Sequence, residues 1–458
     1  LNLGLSITEE NKKFYKILFF LCIPIIIQNL ISASVNVIDT VMVSGLGETS
    51  IASIGIANQV FFLFNMSLSG VTGGASVFIS QFYGKEDTNN IKKVVGLSCG
   101  FALVLSLLFL IPVSLKPELI IHIFSYDQEV VRICKDYFSI VIFSYPLIAI
   151  STVFSTGSRS IRNPKLGMIC SLFALIANII LNYGLIFGNL GMPNLGVKGA
   201  ALATVIARMV EIILLLFYVY IYKKNYALRF GFTNIKSITK DFTSKFLSKS
   251  IPIFLNDSAW AFGTVLYAVA YSKAGTSAIA SSQIATTTGN FFIMTCVCIA
   301  SGGGIMLGNE LGADNIKKAL EYAKKFSILV IIAGIIMGGL LIINVPFLLK
   351  MFNVTDVLAP NIIKIFLILG ILMPLKAFNT LMIIGILRSG GDTKYALILE
   401  QASIWFAALP LTFFAAFSGY PIYILFLLTY SEELIKLAFG LPRVLSKKWA
   451  ANIVKEMN

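Results

Sequence analysis

Long apolar runs constrain this chain more than any other feature of it. Twelve stretches of about 20 or more residues lie between charged or Gly/Pro-rich breaks, near 16–44, 51–82, 92–114, 130–157, 165–188, 197–222, 246–272, 278–310, 317–345, 358–388, 394–418 and 421–445. Hydrocarbon offers no hydrogen bonds, so a segment crossing it must satisfy its own backbone, and only helices and closed barrels do so. Runs of this length without a period-two alternation predict helices. Composition agrees: 57% of the 458 residues are apolar and 13% charged, too few polar groups to cover a soluble surface. The expected fold is an all-α membrane protein with twelve transmembrane helices.

Orientation follows from basic residues. Most Lys and Arg fall at the ends that share a side with the N-terminus, in clusters such as Lys12/Lys13/Lys16, Lys85/Lys92/Lys93, Arg159/Arg162/Lys165, Lys317/Lys318/Lys324/Lys325 and Arg443/Lys447/Lys448/Lys455. That side is expected to be cytoplasmic, with both termini inside and the protein multi-pass in the cell membrane. The net charge of +14 is then a matter of topology and anionic lipid, and no nucleic-acid partner is needed. The first run is too long, and lacks the small-residue cleavage site, to be read as a signal peptide.

The chain also repeats itself. Laying Pro24 on Pro252 lays Ser44 on Ser272, Gly47 on Gly275, Ile51-Ala52-Ser53 on Ile279-Ala280-Ser281 and Gly84 on Gly312; further on, Arg159-Ser160 through Lys165 falls on Arg388-Ser389 through Lys394. Six spans followed by six in the same order predict two pseudo-symmetric six-helix lobes, the arrangement of a transporter. The lobes are expected at 1–232 and 233–458, joined by a polar cytoplasmic connector at about 222–249. Glycines spaced by four at Gly70/Gly74, Gly304/Gly308/Gly312 and Gly334/Gly338 predict close helix packing. Pro24, Pro252 and Pro374 lie inside spans, where a missing backbone bond permits bending.

Chemistry for an enzyme is scarce. One histidine leaves little for metal or Ser-His-Asp sites. No HExxH, Walker-type loop or Gly-x-Ser-x-Gly is present. The six cysteines sit in apolar runs and read as buried small hydrophobes. Trp449, in the basic tail, reads as an interfacial anchor, and His122 as solvated.

Ionisable groups inside spans are costly, so each is a functional candidate. Asp39 in the first span, Asn178 and Asn182 one turn apart on one face of the fifth, and Thr204 in the sixth fall at one depth near the outer side. Their oxygens suit a proton or a desolvated sodium ion; the competing reading is that Asp39 is neutral and only holds the lobe together. The repeat does not reproduce this cluster, because Tyr267 stands where Asp39 would. Instead Asp257 and Lys376 lie at depths compatible with a direct pair, as a static strut or a substrate-responsive switch. Arg208 and Glu211, spaced i,i+3, either neutralise each other or make a gate contact.

The string Pro24…Val37-Ile38-Asp39-Thr40-Val41-Met42 followed by Gly45-Leu46-Gly47 resembles the first helix of the multidrug and toxic compound extrusion (MATE) transporters. So do Asn178 and Asn182, the stretch Gly196-Val197-Lys198-Gly199-Ala200-Ala201-Leu202-Ala203-Thr204, and Leu387-Arg388-Ser389-Gly390-Gly391-Asp392-Thr393. The resemblance implies two lobes rocking around a V-shaped cavity, and an antiporter that exports organic, chiefly cationic, compounds against protons or sodium. It places Asp39, Asn178, Asn182 and Thr204 in the family's N-lobe cation site. Neither branch pattern is complete. The second acid that NorM-like members carry in the tenth span is absent around Lys376-Ala377-Phe378-Asn379, and DinF-like members often carry a carboxylate where Asn182 stands. Arg162 replaces an expected glycine. A monomer without cofactor, acting on a small molecule within the bilayer, is expected; a flippase for a lipid-linked or amphiphilic substrate is the alternative.

Overall fold

A computed structural model describes residues 9–458 except 224, 225, 353, 356, 357, 456 and 458; residues 224 and 225 of the connector therefore lie outside the described residues. The described chain is helical in the order α1 (Glu9–Ser44), α2 (Glu48–Gly84), α3 (Thr88–Leu115), α4 (Pro117–Ile121), α5 (Gln128–Val141), α6 (Ser144–Ser160), α7 (Lys165–Phe187), α8 (Val197–Leu216), α9 (Phe232–Lys236), α10 (Lys240–Lys273), α11 (Thr276–Gly312), α12 (Ile316–Ile343), α13 (Val345–Met351), α14 (Ala359–Thr380), α15 (Thr393–Ser403), α16 (Leu409–Phe417), α17 (Ile422–Thr429) and α18 (Ser431–Leu445). Wide π-type turns over Phe217–Tyr222, Leu381–Leu387 and Ile404–Ala408 extend α8 and α14 and link α15 to α16. Ten helices among the described residues are long and apolar enough to cross a bilayer. α5 and α6, which meet at a 49° bend, pass the same test only when taken together as one broken span. The twelfth expected span is less regular: it is split into α17 and α18 at Tyr430, and α18 carries Glu432, Glu433, Lys436 and Arg443.

Local chemistry sets the ends. Asp87 caps α3 by accepting from the Asn90 amide at 3.0 Å, and Asp127 caps α5 by accepting from Glu129 N at 2.9 Å and Val130 N at 3.1 Å. Each satisfies amides that the first turn leaves unpaired. α7 stops at Gly188, left-handed at φ 75°. Large apolar side chains such as Leu108, Ile213, Phe406 and Phe439 are exposed, as surfaces facing lipid require.

The described chain packs as two compact units. Of the described residues, one unit comprises those in 23–79 and 87–246; the other those in 9–22, 80–86 and 247–457. In the first, Phe64 stacks on Tyr145 at 4.5 Å between centroids, and Phe246 packs against Phe78 at 5.3 Å. In the second, glycines do what their spacing predicts. Gly338 abuts the Gly370 carbonyl, Gly334 faces Pro374, and Gly312 lies against the Gln81 carbonyl. A Cβ at any of them would overlap backbone, so these approaches depend on glycine.

Trp449 is not an interfacial anchor: it is fully buried, and its indole donates to the Val444 carbonyl at 3.1 Å. The cause is the tail around it. Gln81 donates to the carbonyls of Ser389 (2.8 Å) and Ala451 (3.1 Å) and accepts from Ile453 N (2.9 Å). Lys85 donates to the Val454 carbonyl at 3.1 Å. Asp314 accepts from Asn452 at 3.0 Å and pairs with Lys455 at 3.1 Å. All six cysteines are buried and none forms a disulfide among the described residues, as expected from their apolar surroundings.

Candidate functional site

The N-half site begins with a close helix approach. After Gly188 the chain returns on itself, with Leu195 N donating to the Leu185 carbonyl at 2.8 Å. Gly199 then lets α8 start hard against that same carbonyl. This fixes the start of α8 beside the end of α7, so Thr204 and Asn182 come to one level. α1 brings Asp39 to the same place.

Asp39 is 8% exposed, Asn178 1% and Asn182 0%, so the carboxylate must be compensated by its neighbours. Asn182 Nδ2 donates to Asp39 Oδ1 at 2.5 Å and to Asn178 Oδ1 at 3.2 Å. Thr204 Oγ1 donates more weakly to Asp39 Oδ2 at 3.5 Å, and at 3.0 Å to the Ala200 carbonyl one turn back. Tyr137 from α5 is buried beside them. Two atoms lack partners: Asn182 Oδ1 and Asn178 Nδ2 are buried without a hydrogen bond. A buried oxygen with no donor, next to a carboxylate, has the chemistry of a place for a proton donor or a hard cation.

The structure thus brings Asp39, Asn178, Asn182 and Thr204 together. Arg208 and Glu211 are also paired, Nη1 to Oε2 at 2.8 Å. Their contacts extend further than the spacing alone suggests. Ser171 donates to Glu211 Oε1 at 2.7 Å, Gln28 Nε2 to Ser171 Oγ at 3.2 Å, and Arg159 Nη2 to Gln28 Oε1 at 2.8 Å. A small void is bordered by Ser32, Ser171, Asn178, Thr204 and Arg208.

Asp257 and Lys376 enter different contacts. Asp257 accepts from Arg388 at 2.6 Å, and Lys376 lies over the Tyr430 ring at 5.4 Å. Beyond α14, the π-type turn Leu381–Leu387 carries Arg388 to Asp257, where a long guanidinium makes the closer partner. The rest of the C-half network is new. Lys436, 3% exposed, faces Glu432 at 3.1 Å, Glu433 at 3.7 Å and Glu400 at 3.9 Å. Asn256 donates to Glu400 at 2.5 Å, Tyr267 to Glu432 at 3.0 Å, and Asn379 to Glu433 at 2.8 Å. The signal was present, since Glu432, Glu433 and Lys436 sit inside the last predicted span, and charge within a span marks a site or a strut.

Arg162 acquires an explanation. It is left-handed at φ 59°, as its repeat counterpart Gly391 is at φ 79°; the turn favours glycine there, and in the first half an arginine adopts it.

Known proteins give the same picture. The MatE family model matches residues 24–184 and 252–414. The chain is 26% identical over 412 residues to a probable multidrug resistance protein NorM of Thermotoga maritima, covering 88% of this chain and 86% of the relative. It is 25% identical over 397 residues to the transporter YisQ of Bacillus subtilis, covering 86% of each. Among solved structures, a MATE chain in complex with MaL6 superposes with a TM-score of 0.85 at 17% identity, over 94% of this chain and 97% of that one. A MOP superfamily transporter of Pyrococcus furiosus does so with 0.84 at 17% identity, over 94% and 96%. The two matched segments coincide with the two halves of the internal repeat, and the chain belongs to the MatE family, that of the multidrug and toxic compound extrusion transporters.

Proposed function

We propose that this protein is a monomeric antiporter of the cell membrane, both termini cytoplasmic, that exports organic cations in exchange for protons or sodium. Asp39 takes up and gives back the coupling cation as access alternates. The observation that carries this reading is the burial of the Asp39 carboxylate against amide and hydroxyl donors on two other helices, with the Asn182 oxygen left unpartnered beside it. A carboxylate so placed is short of positive charge, and a monovalent cation supplies it. One cation crossing the membrane potential releases roughly 2.3 kcal/mol per 100 mV, enough for at least about tenfold accumulation of substrate per charge. The NorM relative's name supports a drug-like substrate.

The test is transport in proteoliposomes with pH and sodium gradients imposed one at a time. Either gradient alone should drive uptake of an organic cation, and Asp39→Asn should abolish that drive. Gradient-driven uptake that persists in Asp39→Asn would falsify the role of Asp39.

A further inference from the structure

Among the described residues, the buried carboxylates of the N-half are Asp39 and Glu211, and Arg208 lies on the same helix face between Thr204, which touches Asp39, and Glu211. We infer that Arg208 is a built-in competitor for the coupling cation: it moves from Glu211 to Asp39, expels the ion, and returns when a new one binds. This rests on the reading of Asp39 as the cation site and adds the means of release.

Three observations support the exchange. Thr204, Arg208 and Glu211 are spaced i, i+4 and i+7, hence on one face of α8. Thr204 already touches Asp39, so Arg208 is one turn, about 5.4 Å, from the carboxylate's neighbour. Side chains on a helix lean toward its N-terminus, which for Arg208 is the direction of Thr204 and Asp39; its bond to Glu211 holds it the other way. Glu211 also keeps a partner when Arg208 leaves, since Ser171 donates to its other oxygen and is backed by Gln28 and Arg159. Without that support, departure of Arg208 would strand a buried charge, which is costly.

The charge count fits an exchange. With a monovalent cation on Asp39, the three groups and the ion are neutral; without it they carry one negative charge, and Arg208 can offset only one carboxylate at a time. The groups facing them from the packed helices are Tyr137 on α5, Cys170 on α7 and Arg159 on α6 through Gln28.

A strut and a competitor respond differently to mutation. In proteoliposomes, the cation concentration for half-maximal transport is measured with protons and with sodium separately. Arg208→Gln removes the competitor and should lower that concentration about tenfold; Glu211→Gln frees Arg208 for Asp39 and should raise it about tenfold. The double variant Arg208→Gln/Glu211→Gln removes one charge of each sign and leaves the net charge of the group unchanged. It should fold, bind the cation nearly as the wild type does, and turn over at least about tenfold more slowly because release is lost. A shift of both single variants in one direction, or wild-type turnover in the double variant, overturns the inference. Asp39→Asn is measured alongside. Coupling that survives it sinks the cation site itself, whereas its loss together with same-direction shifts at 208 and 211 sinks only the competitor.

Discussion

Under the proposed antiport, Asn182 would serve a proton and a sodium ion in opposite ways. Its Nδ2 donates to Asp39 Oδ1 while its Oδ1 has no partner. A donated hydrogen bond favours the ionised carboxylate and so opposes protonation, whereas the free oxygen is a ligand for a metal cation. Asn182→Ala should therefore raise proton affinity in a proton-driven exchanger, moving half-maximal uptake about one pH unit toward alkaline. In a sodium-driven one it should raise the sodium requirement several-fold. At the turn after α6, a left-handed arginine costs about 1 kcal/mol relative to glycine. Arg162→Gly is expected to raise thermal stability slightly. Gly391→Val should lower it clearly, since a side chain there also meets Ile453; melting curves in detergent check both.

Helix pairs explain why some contacts were legible in the sequence and others were not. The N-half cluster was readable because its polar residues lie on three long helices, α1, α7 and α8, and their depths can be counted from turns. The packing of α8 on α7 that converts equal depth into contact rests on Gly199, which the sequence marked only as part of a string. Gly199→Val should separate the two helices, with a loss of about 2 kcal/mol or more and of cation-driven transport, measured as melting temperature and uptake. Depth alone misplaced the C-half. It brought Asp257 and Lys376 to compatible levels, but it could not foresee that the π-type turn would deliver Arg388 to Asp257. The break at Tyr430 was equally hidden, because an apolar count reads through it. Lys436→Met should destabilise the second unit by about 3–5 kcal/mol, leaving Glu400, Glu432 and Glu433 without their shared cation.

Across the whole molecule, the two halves carry one polar scheme with its charges rearranged. With Thr204 laid on Thr429, Arg208 meets Glu433 and Glu211 meets Lys436; by the shift that joins Arg159 to Arg388, Ser171 meets Glu400. Tyr267 stands where Asp39 would and hydrogen-bonds to Glu432. The first half thus keeps one arginine between two carboxylates, while the second surrounds one lysine with three. The tail is a further asymmetry. Asp314, held below the usual carboxylate range by Asn452 and Lys455, stabilises tail docking above its ordinary value of 3.8. That contribution is lost only as pH falls through the lower, folded value. Protease susceptibility of the tail should hence be the same at about pH 5.5 and pH 8, so a pH-dependent transport rate has its origin elsewhere. Trp449→Ala should increase that susceptibility and cost about 3–5 kcal/mol.

The sealed thiols have a practical corollary. The six cysteines of this sequence are all buried, so a spin label or fluorophore attached to a newly introduced one on a loop would report against little background from them. Pairs of such probes could then follow the transport cycle by distance in the wild-type sequence, with no native cysteine removed first.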